Sequence, residues 1–494
     1  MLYRSPMSIR SGPFSAAPAA GRRSQGNGAV TGRATELRLL VFAAVIVTGA
    51  LVVVELNQNR VLTLRIVWIG GGYLAALVLA HLIIRRLAPC ADPLLLPLVA
   101  LLNGLGLVMI YRLDLAAAAK AAAAGRPAPA AQAPAQLMWT GVGLLFFMLV
   151  LLVIKDHRVL AGYAYTLLLA GVVFLVIPAV LPAKYSEVNG AQIWIKIPHL
   201  FSIQPGEFAK IALIVFAAAF LQQKRTVLAT AGKKIVGLVL PRARDLGPLL
   251  LALLLCLAVF VRAHDLGQAM LIFGVILAMI YLATARASWL IIGLVGFAGG
   301  AYLAYRIFPH VRVRVDIWLH PFADPQNTSY QLVQSLFGLA TGGIFGTGLG
   351  NGHPDLVPYA STDFISAAIG EELGLLGLSA VLLCYLLLGS RGLRAAMSTK
   401  DTFGALLAAG LSFTLVFQMF IVVGGVTRLI PLTGLTTPFL SYGGSSLLAN
   451  YAILALLVRI SHSSRWLPVP RPVALVPLAD APTEMVPVAG SPPR

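Results

Sequence analysis

The chain has 494 residues, 59% of them hydrophobic and only 11% charged, with a mean hydropathy of +0.87. That balance excludes an ordinary soluble domain and places the protein among polytopic membrane proteins. The net charge of +19 is accounted for by basic loops held against anionic lipid, so membrane lipids, and no nucleic acid, are the implied partners.

Residues 1–35 are rich in Ser, Gly, Ala, Pro and Arg and lack an apolar core. They predict a disordered cytoplasmic tail and not a cleaved signal peptide. A bilayer core of about 30 Å needs ~20 apolar helical residues, and about twelve such runs follow. They lie in 37–54, 66–84, 93–111, 137–154, 160–181, 207–222, 246–262, 267–284, 288–308, 363–389, 402–424 and 443–460. The predicted architecture is all-α and polytopic. N-terminal transmembrane helices occupy 36–112, an Ala/Pro-rich outer linker 113–136, and a membrane core 137–461; a Pro/Val-rich disordered cytoplasmic tail follows at 466–494. Cys90, Cys256 and Cys384 are scattered and form no metal or disulfide pattern. With the N-terminus inside, Lys and Arg fall about twice as often on the inner side as on the outer. Both termini are therefore expected in the cytoplasm, and 309–362 outside the plasma membrane.

The stretch from Arg312 to Glu372 is a long polar interruption among apolar runs. It is rich in aromatics and Gly, which predicts an ordered, functional loop. Four further polar islands sit in or beside spans, where charge is costly and marks function by default. Gln204-Pro205-Gly206-Glu207 opens a helix, and Glu207 and Lys210 share a face three residues apart. A capped helix with a local ion pair is the alternative to a polar site. Asp265 follows His264 at a helix start, and Asp363 precedes another; each is either a cap or a site residue. Glu371 and Glu372 lie too deep for a cap, and Glu371, about two turns after Asp363, is expected near the same face. The last island, Ser441-Tyr442-Gly443-Gly444, suits close backbone approach to a ligand or to another helix. All these islands are predicted at the membrane face of the 309–362 loop. Asp316 and Asp355 read as solvated charges.

The motifs NGAQIWI (189–195), QPGEFAK (204–210), HDLGQ (264–268), WLHPFADP (318–325), SYQLVQS (329–335), GGIFGTGLGNG (342–352), TDFISAAIGEELG (362–374) and PFLSYGGSS (438–446) stand in this order. Together they resemble the SEDS family of shape, elongation, division and sporulation proteins. The forms TTPFLSYGGSS and STDF resemble the RodA-type members more than the FtsW type, and two helices ahead of a ten-span core resemble actinobacterial members. The resemblance implies a peptidoglycan glycosyltransferase that polymerises lipid II into β-1,4 glycan beside a class B penicillin-binding transpeptidase. It also implies that Asp324 is the essential acid of the WxxPxxDP loop. Gln192 and Ile193 stand where the family often has Arg, so a phosphate-binding Arg from that motif does not carry over.

The chemistry of such a substrate assigns roles. Transfer from an α-linked diphosphate to a β-linked product inverts the anomeric carbon, which needs one carboxylate base and no covalent nucleophile. Asp324 is the expected base, with Trp318 stacking on a sugar. Arg312 and Arg314 are the expected cations for the leaving diphosphate, followed by Arg262 and Arg428. Gln204, Glu207, Lys210, Asp265, Tyr330, Gln331, Asp363, Glu371, Ser441 and Tyr442 are expected to shape or bind the substrate pocket. No metal spacing stands out; a divalent cation, Mg or Mn, held by Glu207 or Asp265 is a candidate. An FtsW-type division polymerase is the nearest alternative. A lipid-linked precursor flippase or secondary transporter is another, but would concentrate polar groups at the midplane and use both faces. An inert scaffold would not need Asp324.

Overall fold

The computed structural model describes residues 20–466, apart from 60, 189, 198–200, 231–232, 236–237 and 241–245. The predicted tails lie outside the described residues at 1–19 and 467–494, but residues 20–35 are not tail: they form the first turns of α1 (Ala20–Asn59). The other long helices are α2 (Leu64–Leu87), α3 (Leu95–Ala123), α4 (Gln132–Val153), α5 (Ala164–Val180), α6 (Pro205–Thr230), α7 (Gly247–Arg262), α8 (Leu266–Thr284), α9 (Ala287–Ile307), α10 (Pro309–Leu319), α11 (Tyr330–Gly342), α12 (Ile365–Ser398), α13 (Thr402–Val426) and α14 (Gly444–Arg465). Two four-residue helical turns (Val159–Gly162 and Ala183–Ser186) and three short antiparallel hairpins accompany them: β1 (Glu187–Val188) with β2 (Ala191–Gln192), β3 (Ile195–Ile197) with β4 (Phe201–Ile203), and β5 (Lys233–Ile235) with β6 (Leu238–Leu240).

Ten of these helices are long and apolar enough to cross a bilayer. The apolar runs at 160–181 and 246–262 give α5 and α7, of 17 and 16 residues, which fall short of that length. The predicted linker 113–136 is also shorter than expected. Alanine is the strongest helix former, so the run from Leu115 continues α3 to Ala123, and α4 resumes at Gln132. Asp114 bridges the connection by accepting the Gln132 and Ala133 amides at 2.9 and 2.8 Å.

Helices α3 and α14 form the centre: 89% of each apolar window is buried, against 11% for α9 at the periphery. α4 packs on α14, α5 on α6, α8 on α13, and α12 on both α13 and α11. The 309–362 connection holds α10, α11 and a 3-10 turn at Pro354–Leu356. Its anchor is a break in α12 at Gly374 (φ 68). Breaking a helix inside an apolar bundle frees backbone groups that must find partners. Here the Leu375 and Leu376 amides donate to the Gly343 and Ile344 carbonyls at 2.9 and 3.1 Å, while the Glu371 and Glu372 carbonyls accept the Thr347 and Gly348 amides, both at 3.0 Å. Only glycine permits this closeness: a Cβ on Gly346 (φ 83) would lie 2.2 Å from the Glu372 oxygen, and one on Gly374 2.3 Å from the Gly346 nitrogen.

Candidate functional site

Pro205 starts α6 with fixed φ, which places Glu207 in the first turn and Lys210 one turn later. Their ion pair is 2.6 Å long, with side chains 1% and 0% exposed. Neither charge relies on the other alone. The Gln268 amide donates to Glu207 at 2.8 Å, and Lys210 donates to the Gln418 side-chain oxygen at 3.1 Å. Gln418 in turn donates to the Thr436 carbonyl at 2.8 Å. Each charge thus has a second partner, which makes a buried ion pair tolerable, although the Gln268 side-chain oxygen itself is buried without one. Glu207 thereby accepts from two donors, one on each carboxylate oxygen. Among the described residues there is no group of three His, Cys, Asp or Glu able to hold a metal cation.

Asp265 caps α8 by accepting the Gln268 amide at 3.0 Å. Asp363 does not cap α12, whose preceding residue is Phe364. Instead Asp363 and Asp265 both lie within electrostatic reach of Arg314 of α10, without a direct ion pair. Gly434, at φ 73, lets the chain pass close to Asp363 and Arg314, and Arg314 donates to the Leu432 carbonyl at 2.9 Å. Burial pushes both carboxyls up to about 6 against the pull of Arg314, and Glu207 raises Asp265 further. Burial also lowers Arg314. Next to this group the His264 and His310 rings lie 4.1 Å apart, with His264 in the left-handed region (φ 66). A narrow crevice of about 10 Å³, room for roughly one water, lies alongside, lined among others by Gln192, Ile193, Gln204 and Asp265.

The segment at 438–446 staples the outer connections to the bundle. Ser441 donates to the Thr362 carbonyl and accepts the Thr437 amide at 2.8 Å, and the Tyr442 amide donates to the Ser361 carbonyl at 2.8 Å. Ser445 accepts the Gln204 amide at 3.0 Å. Gln204, Glu207, Lys210, Asp265, Arg314, Asp363, Ser441 and Tyr442 thus belong to one connected region.

Asp324 lies on the turn between α10 and α11 and is partly accessible. It accepts the Thr328 amide at 3.2 Å, the Asn327 side chain at 2.9 Å and the Thr328 hydroxyl at 3.0 Å, and these bonds hold its carboxyl below the usual range. The turn is clasped by the connection that follows α13. Trp318 donates its indole N–H to the Arg428 carbonyl at 3.1 Å, and Arg428 donates to the Trp318 and Leu319 carbonyls at 2.8 and 2.9 Å. Tyr330 and Gln331 open α11, with Tyr330 exposed and Gln331 half-buried.

Three expectations are corrected. Arg312 does not join Arg314; it is exposed and donates to the Tyr305 and Arg306 carbonyls at 3.1 and 2.9 Å, capping α9. Residues two apart on a helix point to different sides. Glu371 does not turn toward Asp363, because α12 begins only at Ile365 and the helical spacing cannot be counted from 363. Its carboxylate accepts the His353 amide at 2.6 Å, and Glu372 binds Arg112 of α3 at 2.8 Å and the Gly350 amide at 3.0 Å. Asp355 is paired rather than merely solvated, 2.6 Å from Lys120. Sequence reasoning passed over Gln268, Gln418 and Arg112 as site partners. Gln418, a lone amide in the apolar run 402–424, carried a usable signal.

The fold and site define a helical multi-pass membrane protein that gathers buried acids and bases beneath a structured connection. The family model described as "Cell cycle protein", which groups FtsW, RodA and SpoVE, matches residues 93–466. The chain belongs to this family. It is 57% identical over 456 residues to the peptidoglycan glycosyltransferase RodA of Mycobacterium tuberculosis, covering 92% of this chain and 96% of that one. It is 33% identical over 378 residues to stage V sporulation protein E of Bacillus subtilis, covering 76% and 98%. Among solved structures, a chain of a peptidoglycan synthase complex that coordinates polymerization and crosslinking matches with a TM-score of 0.58 and 27% identity, covering 76% of this chain and 98% of that one. RodA of Thermus thermophilus shares the fold at a TM-score of 0.50 and 24% identity, covering 76% and 98%.

Proposed function

We infer that this protein is a RodA-type peptidoglycan glycosyltransferase that joins lipid II units into β-1,4 glycan during cell elongation. The observation that carries the reading is the 57% identity to mycobacterial RodA over nearly the whole of both chains. The placement of the polar groups agrees with it. Gln204, Glu207, Asp265, Arg314, Asp363 and Ser441 gather beside the 309–362 connection, whereas a transporter would line a path through the midplane. We read α5 and α7 as the remaining two of twelve spans, both termini as cytoplasmic and the site as extracytoplasmic. A class B penicillin-binding transpeptidase is the expected partner.

Asp324 acts as the base in this reading. It starts ionised, and the arriving acceptor 4-hydroxyl displaces the Asn327 and Thr328 donors, which returns basicity to the carboxylate. The hydroxyl oxygen then attacks the anomeric carbon in a single inverting displacement and undecaprenyl diphosphate leaves. Arg314, together with Arg428 beside the same turn, faces the charge that develops on the diphosphate. A second reading makes Asp363 the base, because its carboxyl is already tuned to about 6, nearer the operating pH than Asp324. Incubating the purified full chain with lipid II, with and without a transpeptidase partner, tests the activity. Glycan chains on a gel are expected; none under either condition contradicts the reading.

A further inference from the structure

The family match begins at residue 93, so α1 and α2 lie outside it. They are nonetheless locked to the rest of the bundle at both ends. At one end Glu36 of α1 pairs with Arg33 and, at 2.8 Å, with His81 of α2, and Arg33 donates to the Ala91 carbonyl. At the other end Glu55 accepts the Tyr111 hydroxyl of α3 and, at 2.6 Å, the Thr63 hydroxyl. Between these ends the Tyr73 hydroxyl donates to the Ala100 carbonyl at 2.9 Å.

From this fixed platform the last turn of α1 reaches the glycine loop. Asn57 donates to the Leu349 carbonyl at 2.6 Å, and Gln58 donates to the Gly350 carbonyl. Asn57 also packs on Gly350 so tightly that a Cβ there would lie 3.0 Å from its own. The amide of the same Gly350 is held by Glu372 of α12. One residue is therefore gripped from opposite sides, by the core through its N–H and by the N-terminal helix through its C=O. The loop runs through the His353 amide, bound to Glu371, and the Lys120–Asp355 pair, and the same connection continues to Asp363.

We propose that the N-terminal helix pair is a positioning element for the outer site: Asn57 and Gln58 fix the 346–352 loop and, through it, the placement of Asp363 opposite Arg314. The proposal rests on the glycosyltransferase reading for its kinetic readout but not for its structural one. Asn57 is exposed and Gln58 half-buried, so their truncation leaves the core intact.

The test compares the full-length wild type with Asn57→Ala/Gln58→Ala and with Asn57→Ala/Gln58→Lys, which returns one donor to the Gly350 carbonyl. Amide hydrogen exchange across 346–356 is expected to rise about tenfold in the first variant, as the loss of two ordinary hydrogen bonds allows. Its kcat for glycan formation falls several-fold with KM for lipid II unchanged, and the Lys variant recovers part of both. Unchanged exchange overturns the proposal. So does faster exchange with wild-type kcat below the melting range, since that is what a purely structural staple would give. If the wild type makes no glycan, the function reading fails, while the exchange data still decide whether the loop is braced.

Discussion

Arg112→Met offers a quantitative test of how α12 and the glycine loop are held. Arg112 and Glu372 are 2% and 0% exposed, and their Nε–Oε1 distance is 2.8 Å. Arg112 also donates to the Gly352 carbonyl at 2.7 Å. Replacing the guanidinium leaves a carboxylate in an apolar bundle with only the Gly350 amide for company. Removing one member of such a pair costs about 3–5 kcal/mol, most of it the penalty of the stranded charge. Arg112→Met/Glu372→Gln removes both charges and keeps an acceptor for Gly350, so it is expected to regain more than half of that loss. Equilibrium unfolding of the purified chain in mixed micelles measures both variants. A single variant that costs less than about 1 kcal/mol, or a double variant no better than the single, would refute the claim that the pair is dry and mutually dependent.

Other expectations follow from the same geometry. Lys210→Met strands Glu207 and should lower stability by about 3–5 kcal/mol, with Glu207→Gln/Lys210→Met closer to wild type in the same unfolding assay. Gly346→Ala places a Cβ 2.2 Å from the Glu372 oxygen at φ 83, and should lower both the thermal midpoint and glycan synthesis. Asp265 and Asp363 titrate near 6 in the fold and near 4 when unfolded, so the folded state binds their protons more tightly. Their protonation stabilises the fold fully below about pH 4, and that contribution is lost as pH rises through 6. Thermal midpoints measured from pH 7.5 to 5 should therefore rise, and Asp363→Asn should flatten the rise.

Much of this arrangement could be read from the chain because apolar length and misplaced charge are local signals. The twelve apolar runs became twelve apolar helices, ten of them of spanning length. Glu207 and Lys210 paired as their spacing required. The overrun of α3 to Ala123 was legible in its alanines, which the composition-based linker reading ignored. What could not be read depends on tertiary partners. The break at Gly374 turns Glu371 and Glu372 toward the glycine loop and Arg112, and no helical periodicity counted from Asp363 foresees that. The separation of Arg312 from Arg314 was foreseeable, since two residues along α10 carry a side chain about 200° around the axis. That Arg314 lies within electrostatic reach of two carboxylates was not foreseeable, because Asp265 and Asp363 come from distant connections.

The most direct test of the account is glycan polymerisation by Asp324→Asn, reconstituted in liposomes with lipid II and compared with wild type and Asp363→Asn. The substitution keeps the shape of the turn and removes the base. The account predicts a folded, membrane-inserted protein that makes no detectable glycan. Near wild-type polymer from Asp324→Asn, with none from Asp363→Asn, would contradict it and move the base to Asp363.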